Sequence, residues 1–311
     1  MDKHDKIYVA GHNGMVGSAI IRKLSGFTNI ITRTREELDL RSQAEVNAFF
    51  NAEKPSYVFF AAAKVGGILA NMNGQAEFLL ENLQIQNNII EAAFNSGVKK
   101  LLFLGSSCIF PKEAPQPIPE TALLTGPLES TNEGYAIAKI AGLKLCEYYN
   151  KQKKAEFISI MPCNLYGYND NFDLQNSHFL PALIRKFHEA KINNSKTAEV
   201  WGTGKVYREL LFVDDLADAC IFVMQNYSKP EFLNVGYGKD YTISEIALMV
   251  KSIIGFKGEI IYDTTKPDGM YRKIMDSGRI NSLGWHPKTD LQNGIKLTYE
   301  WYLKNIGGQS L

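Results

Sequence analysis

Short apolar runs alternate along this chain with longer stretches whose apolar residues recur at helical spacing. "KIYVAG" (6–11), "NIITR" (29–33), "SYVFFAAA" (56–63), "KLLFLGSS" (100–107) and "EFISIMP" (156–162) read as strands. Between them, 15–25, 42–53, 75–96 and 132–151 read as helices. The strands are apolar throughout instead of alternating, which fits strands covered on both faces. Such alternation predicts an α/β fold, a Rossmann-type doubly wound parallel sheet. After about residue 165 the rhythm loosens, although "FVDDLADACIFVMQNY" (212–227) still reads as a helix and "FLNVG" (232–236) as a strand. No Pro- or Ser-rich linker divides the chain. The expected division is a first domain over 1–165, with parts of 212–236 returning to it, and a smaller C-terminal α/β lobe over 166–311. Asp214 and Asp215 resemble a metal pair, but they open a helix, and Asp214 as N-cap is the better reading.

Composition changes this picture little. The chain has 311 residues, 45% hydrophobic and 22% charged, with a net charge of +1. No strong field draws nucleic acid or a membrane surface. The four cysteines, at 108, 146, 163 and 220, form no C-x-x-C pair, so neither a zinc site nor a disulfide framework is expected. No apolar run is long enough to span a bilayer, and the start shows no signal-peptide core. The expectation is a cytoplasmic enzyme without a metal.

Candidate chemistry begins in "AGHNGMVGSAI" (10–20), where Gly11, Gly14 and Gly17 follow the first strand and open a helix. A chain that must turn tightly, approach a pyrophosphate and present a helix N-terminus to it needs glycines there. About 20 residues on, an NAD site usually presents an acid to the ribose. Here "ITRTREEL" (31–38) offers Arg33 and Arg35 instead, which suit a 2′-phosphate. That favours NADP(H). The alternative is two solvated arginines, with Glu36 or Glu37 on the ribose.

"EGYAIAKIAG" (133–142) places Tyr135 and Lys139 four residues apart on one helix face. A tyrosine of ordinary pKa ~10 becomes a better acid beside a cation. Such a pair can protonate a carbonyl oxygen while hydride arrives at carbon. The strand "LLFLGSS" ends on Ser106 and Ser107, either of which can hold the same oxygen, and then Cys108. If strand geometry persists, alternation puts Ser106 and Cys108 on one face. A thiolate beside a bound ketone can remove a proton from the adjacent carbon. The plainer reading of Cys108 is a small buried hydrophobe.

These features together resemble the extended short-chain dehydrogenase/reductase superfamily. "GHNGMVGSAI", "AAAKVGGI" (61–68), "LGSSCIFP" (104–111), "LESTNEGYAIAKIAG" (128–142), "NLYG" (164–167), "NSHFLPALIRKFHEA" (176–190) and "KPDGMYRKIMD" (266–276) resemble, within it, the GDP-L-fucose synthase family. Those enzymes are GDP-4-keto-6-deoxy-mannose epimerase/reductases. The resemblance implies that Ser106, with Ser107 competing, binds the substrate oxygen, that Tyr135 donates the proton, and that Lys139 tunes it. It implies that Cys108 and His178 exchange protons at C3 and C5 of the sugar. His178 alone would read as a polar residue before a helix over 180–190. Cofactor contacts are implied for Gly11, Asn13, Gly14, Met15, Val16, Gly17, Arg33, Arg35, Ala62, Leu104, Gly105, Pro162, Asn164, Leu165 and His178, besides Tyr135 and Lys139. GDP-sugar contacts are implied for Ser107, Asn164, Lys186, Trp201, Arg208, Asp268 and Lys273. A homodimer through the helices near 75–96 and 132–151 is also implied.

Two positions depart from the family's bacterial pattern. Asn13 stands where an arginine often grips the 2′-phosphate. Lys186 replaces a common arginine, giving a point charge instead of a fork. The alternative activity is therefore a C4-reductase of a related GDP-4-keto sugar, of 6-deoxyheptose or colitose type, with Cys108 and His178 idle or partly active and little or no epimerase activity. A rival from another class is a non-catalytic NADP-binding regulator.

Overall fold

The computed structural model describes residues 1–174, 177–266 and 268–307. Its strands are β1 (Ile7–Ala10), β2 (Ile30–Ile31), β3 (Tyr57–Phe60), β4 (Lys100–Leu104), β5 (Phe157–Pro162), β6 (Asn164–Tyr166), β7 (Thr197–Trp201), β8 (Tyr207–Phe212), β9 (Leu233–Val235), β10 (Asp240–Thr242), β11 (Glu259–Asp263) and β12 (Arg272–Lys273). Its helices are α1 (Met15–Lys23), α2 (Gln43–Glu53), α3 (Ile68–Asn73), α4 (Gln75–Asn95), α5 (Glu133–Lys153), α6 (Phe179–Ile192), α7 (Val213–Asn226), α8 (Ile243–Ile254), α9 (Gly278–Ser282) and α10 (Leu291–Tyr302).

Six strands form one parallel sheet in the order β2-β1-β3-β4-β5-β9. β1, β4 and β5 are buried along their whole length, because helices cover both faces. The chain moves from β1 to one side for β2 and to the other for β3. That reversal opens a crevice at the carboxyl ends of β1 and β3, the usual ligand site of such sheets. α7 and β9 lie in the same hydrophobic core as this sheet, and α7 packs against α1.

A second core gathers Phe187, Ile246 and Ile295 from α6, α8 and α10. Its sheet centres on β8, which pairs with β6 and β12 in parallel and with β10 antiparallel. β7 alternates exposed and buried residues, the pattern of a strand wet on one face.

Three local expectations change. The second strand shrinks to Ile30–Ile31 and the third ends at Phe60. The fourth ends at Leu104, because Ser106 Oγ accepts the Cys108 N–H at 3.3 Å and starts a 3₁₀ turn over Ser107–Ile109. Strand alternation therefore does not relate Ser106 to Cys108. Asp214 is not an N-cap: Phe212 holds that position, and the Asp214 carboxylate pairs with Arg22 of α1. Asp215 accepts the backbone N–H groups of Lys288 and Thr289. Among the described residues, no cluster of three or more His, Cys, Asp or Glu could hold a metal ion, and no helix is long and apolar enough to cross a membrane.

The turn after β1 needs its glycines. Gly11 has φ +84°, and a Cβ there would meet Ala62 N at 2.7 Å. A Cβ on Gly17 would fall 2.0 Å from Gly11 O, so α1 can approach the turn only without one. Gly17→Ala is expected to destabilise the fold by about 1–3 kcal/mol through overpacking. Urea unfolding of the free protein measures it, and an unchanged midpoint would refute the tight-contact account.

Candidate active site

A cavity of about 1200 Å³ runs from the β1–α1 turn, across the carboxyl end of the sheet, into the second lobe. The residues for which cofactor, substrate or catalytic contacts were implied line it: the Gly11–Gly17 loop, Arg33 and Arg35, Ala62, Leu104–Cys108, Tyr135, Lys139, Pro162, Asn164, Leu165, His178, Lys186, Trp201, Arg208, Asp268 and Lys273; Glu36, Glu37, Asp214 and Asp215 do not. Residues more than 250 positions apart in the chain thus share one cleft.

At its centre, α5 presents Tyr135 and Lys139 to the end of β4. Lys139 Nζ donates to the Leu104 carbonyl at 2.9 Å and lies 4.9 Å from the centre of the Phe103 ring. Burial pushes this ammonium down to about 8, and the nearby Cys108 opposes the shift. Tyr135 moves the other way. Burial raises its phenol, the charge of Cys108 adds to the effect, and a hydrogen bond from Ser106 works against it. The net shift is upward, against the acidification expected of Lys139, because burial dominates. The ammonium is turned to the Leu104 carbonyl and sits 5.7 Å from the centre of the phenol ring. Ser106, the hydroxyl that meets Tyr135, is only partly buried, whereas Ser107 is buried.

Cys108 Sγ accepts from Asn132 Nδ2 at 3.2 Å. His178 is the N-cap residue of α6, with extended backbone and no capping bond from its side chain. It opens onto the cavity, yet the protein crowded round the imidazole lowers its proton affinity, and Lys273 adds to that. A histidine so placed is held neutral, able to accept a proton or to pass one on.

At the dinucleotide end, Arg33 is already paired with Glu53 at 2.7 Å and lies over Phe49. Arg35 is the exposed guanidinium of the pair, at the cavity wall. Glu37 spends its carboxylate on the Thr34 N–H at 2.7 Å, which turns it into its own loop and away from a ribose. Asp39 is held down to about 2 by its hydrogen bonds with Arg41. The wall from Leu38 to Arg41 was missed in the sequence; its signal was the acid–base spacing in "LDLR" (38–41).

In the second lobe, the Arg208 guanidinium donates to the carbonyls of Tyr207 (2.7 Å), Met270 (2.7 Å) and Asp268 (3.1 Å). Asp268 accepts the Thr203 N–H at 2.7 Å and its hydroxyl at 2.8 Å. Lys273 is the register partner of Arg208 across β12 and β8. Lys186 lies 5.0 Å from the centre of the Trp201 ring and 3.8 Å from Glu199, a carboxylate the sequence reading passed over. Trp201 is 42% exposed and donates to Glu199 at 2.9 Å. An open indole flanked by cations can take a flat ring or a phosphorylated ligand.

The model of the NAD dependent epimerase/dehydratase family matches residues 7–236. The chain belongs to that family. It is 60% identical over 98% of its length, and 95% of the relative's, to GDP-L-fucose synthase 1 of Arabidopsis thaliana. Among solved structures it is similar to a GDP-6-OMe-4-keto-L-xylo-heptose reductase from Campylobacter jejuni, with TM-score 0.93 and 43% identity over 98% of this chain and 99% of that one. It is also similar to MlghC, a GDP-mannoheptose C4 reductase from the same organism with NADP bound, with TM-score 0.89 and 43% identity over 97% and 99% of the two chains.

A family dinucleotide fits the cleft on this chain's own geometry. The turn at Gly11 and the close approach of Gly17 leave a cradle that side chains would fill, and α1 opens on it. Arg35 is the residue placed to meet a 2′-phosphate. Arg35→Ala is expected to weaken NADPH about 10–100-fold while changing NADH little, the value of one charge-assisted contact. Fluorescence titration with both nucleotides checks this, and equal losses for the two would remove Arg35 from that role.

Proposed function

We propose that this chain converts GDP-4-keto-6-deoxy-mannose to GDP-L-fucose by NADPH-dependent 3,5-epimerisation and 4-keto reduction. The observation that carries the reading is a single cavity lined at once by Cys108, Tyr135 and His178, by the glycine cradle, and by Arg208. The identity of 60% to a GDP-L-fucose synthase supports it.

In this reading Arg208 and Lys186 meet the diphosphate and Trp201 the flat nucleotide or sugar surface. The ketone oxygen lies against Ser106 and Tyr135. Cys108, as thiolate, takes the proton from a carbon beside the ketone. That C–H bond breaks, an S–H bond forms, and the electron pair moves onto the ketone oxygen as an enolate. His178, protonated from solvent beforehand, returns a proton from the opposite face, and the Cys108 thiol then gives up its proton to solvent. Bound NADPH supplies the hydride that ends at C4. Tyr135 gives its proton to the oxygen at C4, and Lys139 offsets the phenolate left behind.

The second reading, a C4-reductase that leaves C3 and C5 alone, is supported by the 43% identity to heptose reductases. A regulator that binds NADP without turnover fits poorly with an assembled Ser106–Tyr135–Lys139 set. The cytoplasm is the proposed location, consistent with four cysteines that are all free. A homodimer through α4 and α5 is carried forward with the reading; Leu80 and Tyr148 are exposed on these helices.

Tyr135→Phe is expected to lower NADPH oxidation with the GDP-4-keto sugar by at least ~10²-fold, the usual worth of a positioned acid. Full turnover would overturn the reading. Cys108→Ser should block deuterium uptake at C3 and C5 from D₂O yet still reduce a pre-epimerised sugar, as proton NMR would report. Wild type without any uptake would select the reductase. kcat/KM should fall as pH rises through about 8, where Lys139 in the free enzyme passes from charged below to neutral above. Lys139→Met should abolish that limb.

A further inference from the structure

Asn132 stands immediately before α5, at its N-cap, where asparagine is among the best capping residues. Its side chain nevertheless makes no capping bond. Its Nδ2 donates instead to Cys108 Sγ at 3.2 Å, and its Oδ1 is buried without a hydrogen-bond partner. The capping work is done from another helix. Gln75 of α4 accepts the Gly134 N–H at 3.0 Å and donates to the Ser130 carbonyl at 2.8 Å. Residue 134 is glycine, and a Cβ there would meet the Gln75 carbonyl oxygen at 2.6 Å, so α4 reaches in closely.

A residue released from its ordinary task, left with one buried unsatisfied oxygen, marks a function in need of an explanation. We propose that Asn132 is a positioning residue for Cys108: its amide N–H holds the sulfur at the sugar-facing wall and favours the thiolate over the thiol. This rests on the epimerase reading above. A donor fixed on sulfur stabilises the charged form, since hydrogen bonds to an anion are the stronger ones. The Cys108 thiolate accepts a proton from the carbon during epimerisation, so Asn132 affects that step and leaves the later hydride step alone.

The test uses the full-length protein and iodoacetamide as thiol probe, with the labelled peptide assigned to Cys108 by mass. Asn132→Asp keeps the shape and capping ability but removes the N–H donor and adds an acceptor. Alkylation of Cys108 at pH 7 is expected to slow about tenfold, following the lost thiolate. Deuterium uptake at C3 and C5 should slow in parallel, while reduction of a pre-epimerised sugar stays within about fivefold of wild type. Asn132→Ser, which also lacks the amide, should behave alike and serves if the first variant folds poorly. Alkylation at the wild-type rate overturns the proposal, as does an equal loss of both partial reactions. If wild type shows no deuterium uptake, the epimerase reading fails, and the alkylation rates alone then decide whether Asn132 governs Cys108.

Discussion

The site is organised by one buried contact, the bond from Lys139 Nζ to the Leu104 carbonyl at 2.9 Å. It ties the reactive face of α5 to the last residue of β4. Immediately beyond Leu104 the strand gives way to the turn that carries Ser106 and Cys108. The Asn132–Cys108 and Ser106–Tyr135 hydrogen bonds join the same helix to the turn, and the Lys139 bond anchors that helix to the strand itself. An ammonium at this depth also has to be satisfied, because an unpaired buried cation costs more than a fold can easily absorb. The carbonyl supplies part of that compensation, and the Phe103 ring face supplies more.

The charges set by that arrangement bear on the order of steps. Burial first, and the charge of Cys108 second, raise the phenol of Tyr135, so the tyrosine keeps its proton. A protonated Tyr135 can hold the ketone oxygen and stabilise an enolate without yet giving the proton away. On the proposed reading, reduction and protonation at C4 remove the ketone that acidified the neighbouring carbons. On that reading the chemistry puts epimerisation before reduction, and two reactions can share one set of side chains.

Local features were the ones legible in the sequence. The Gly11–Gly17 turn and the Tyr135–Lys139 pair are defined by backbone sterics and helix period, which act within a few residues. The parallel sheet followed from its uninterrupted apolar strands. What escaped depended on partners far along the chain. Arg208 was named, but not the carbonyls 60 and 62 residues away that hold it, and Glu199 joins the site only because α6 and β7 bring Lys186 and Trp201 beside it. Arg33 looked available until Glu53, 20 residues on, claimed it. The turn after β4 was misread as strand because its starting signal, a serine accepting a backbone N–H, competes locally with extended structure.

Asn132 shows why such cases resist a linear reading. In the sequence it is only the first residue of the expected helix over 132–151. Only the arrival of Gln75, from 59 residues away, makes its capping bond dispensable. Helix capping is worth on the order of 1 kcal/mol and can be supplied by any well-placed acceptor. A donor aimed at one particular sulfur is less easily replaced, because it must reach that one atom. Where two demands fall on one residue, the fold meets the interchangeable one with a neighbour and leaves the residue to the other. On the proposed reading, the close packing of α4 on α5 at Gly134 belongs to the catalytic geometry, although neither Gln75 nor Gly134 lines the cavity.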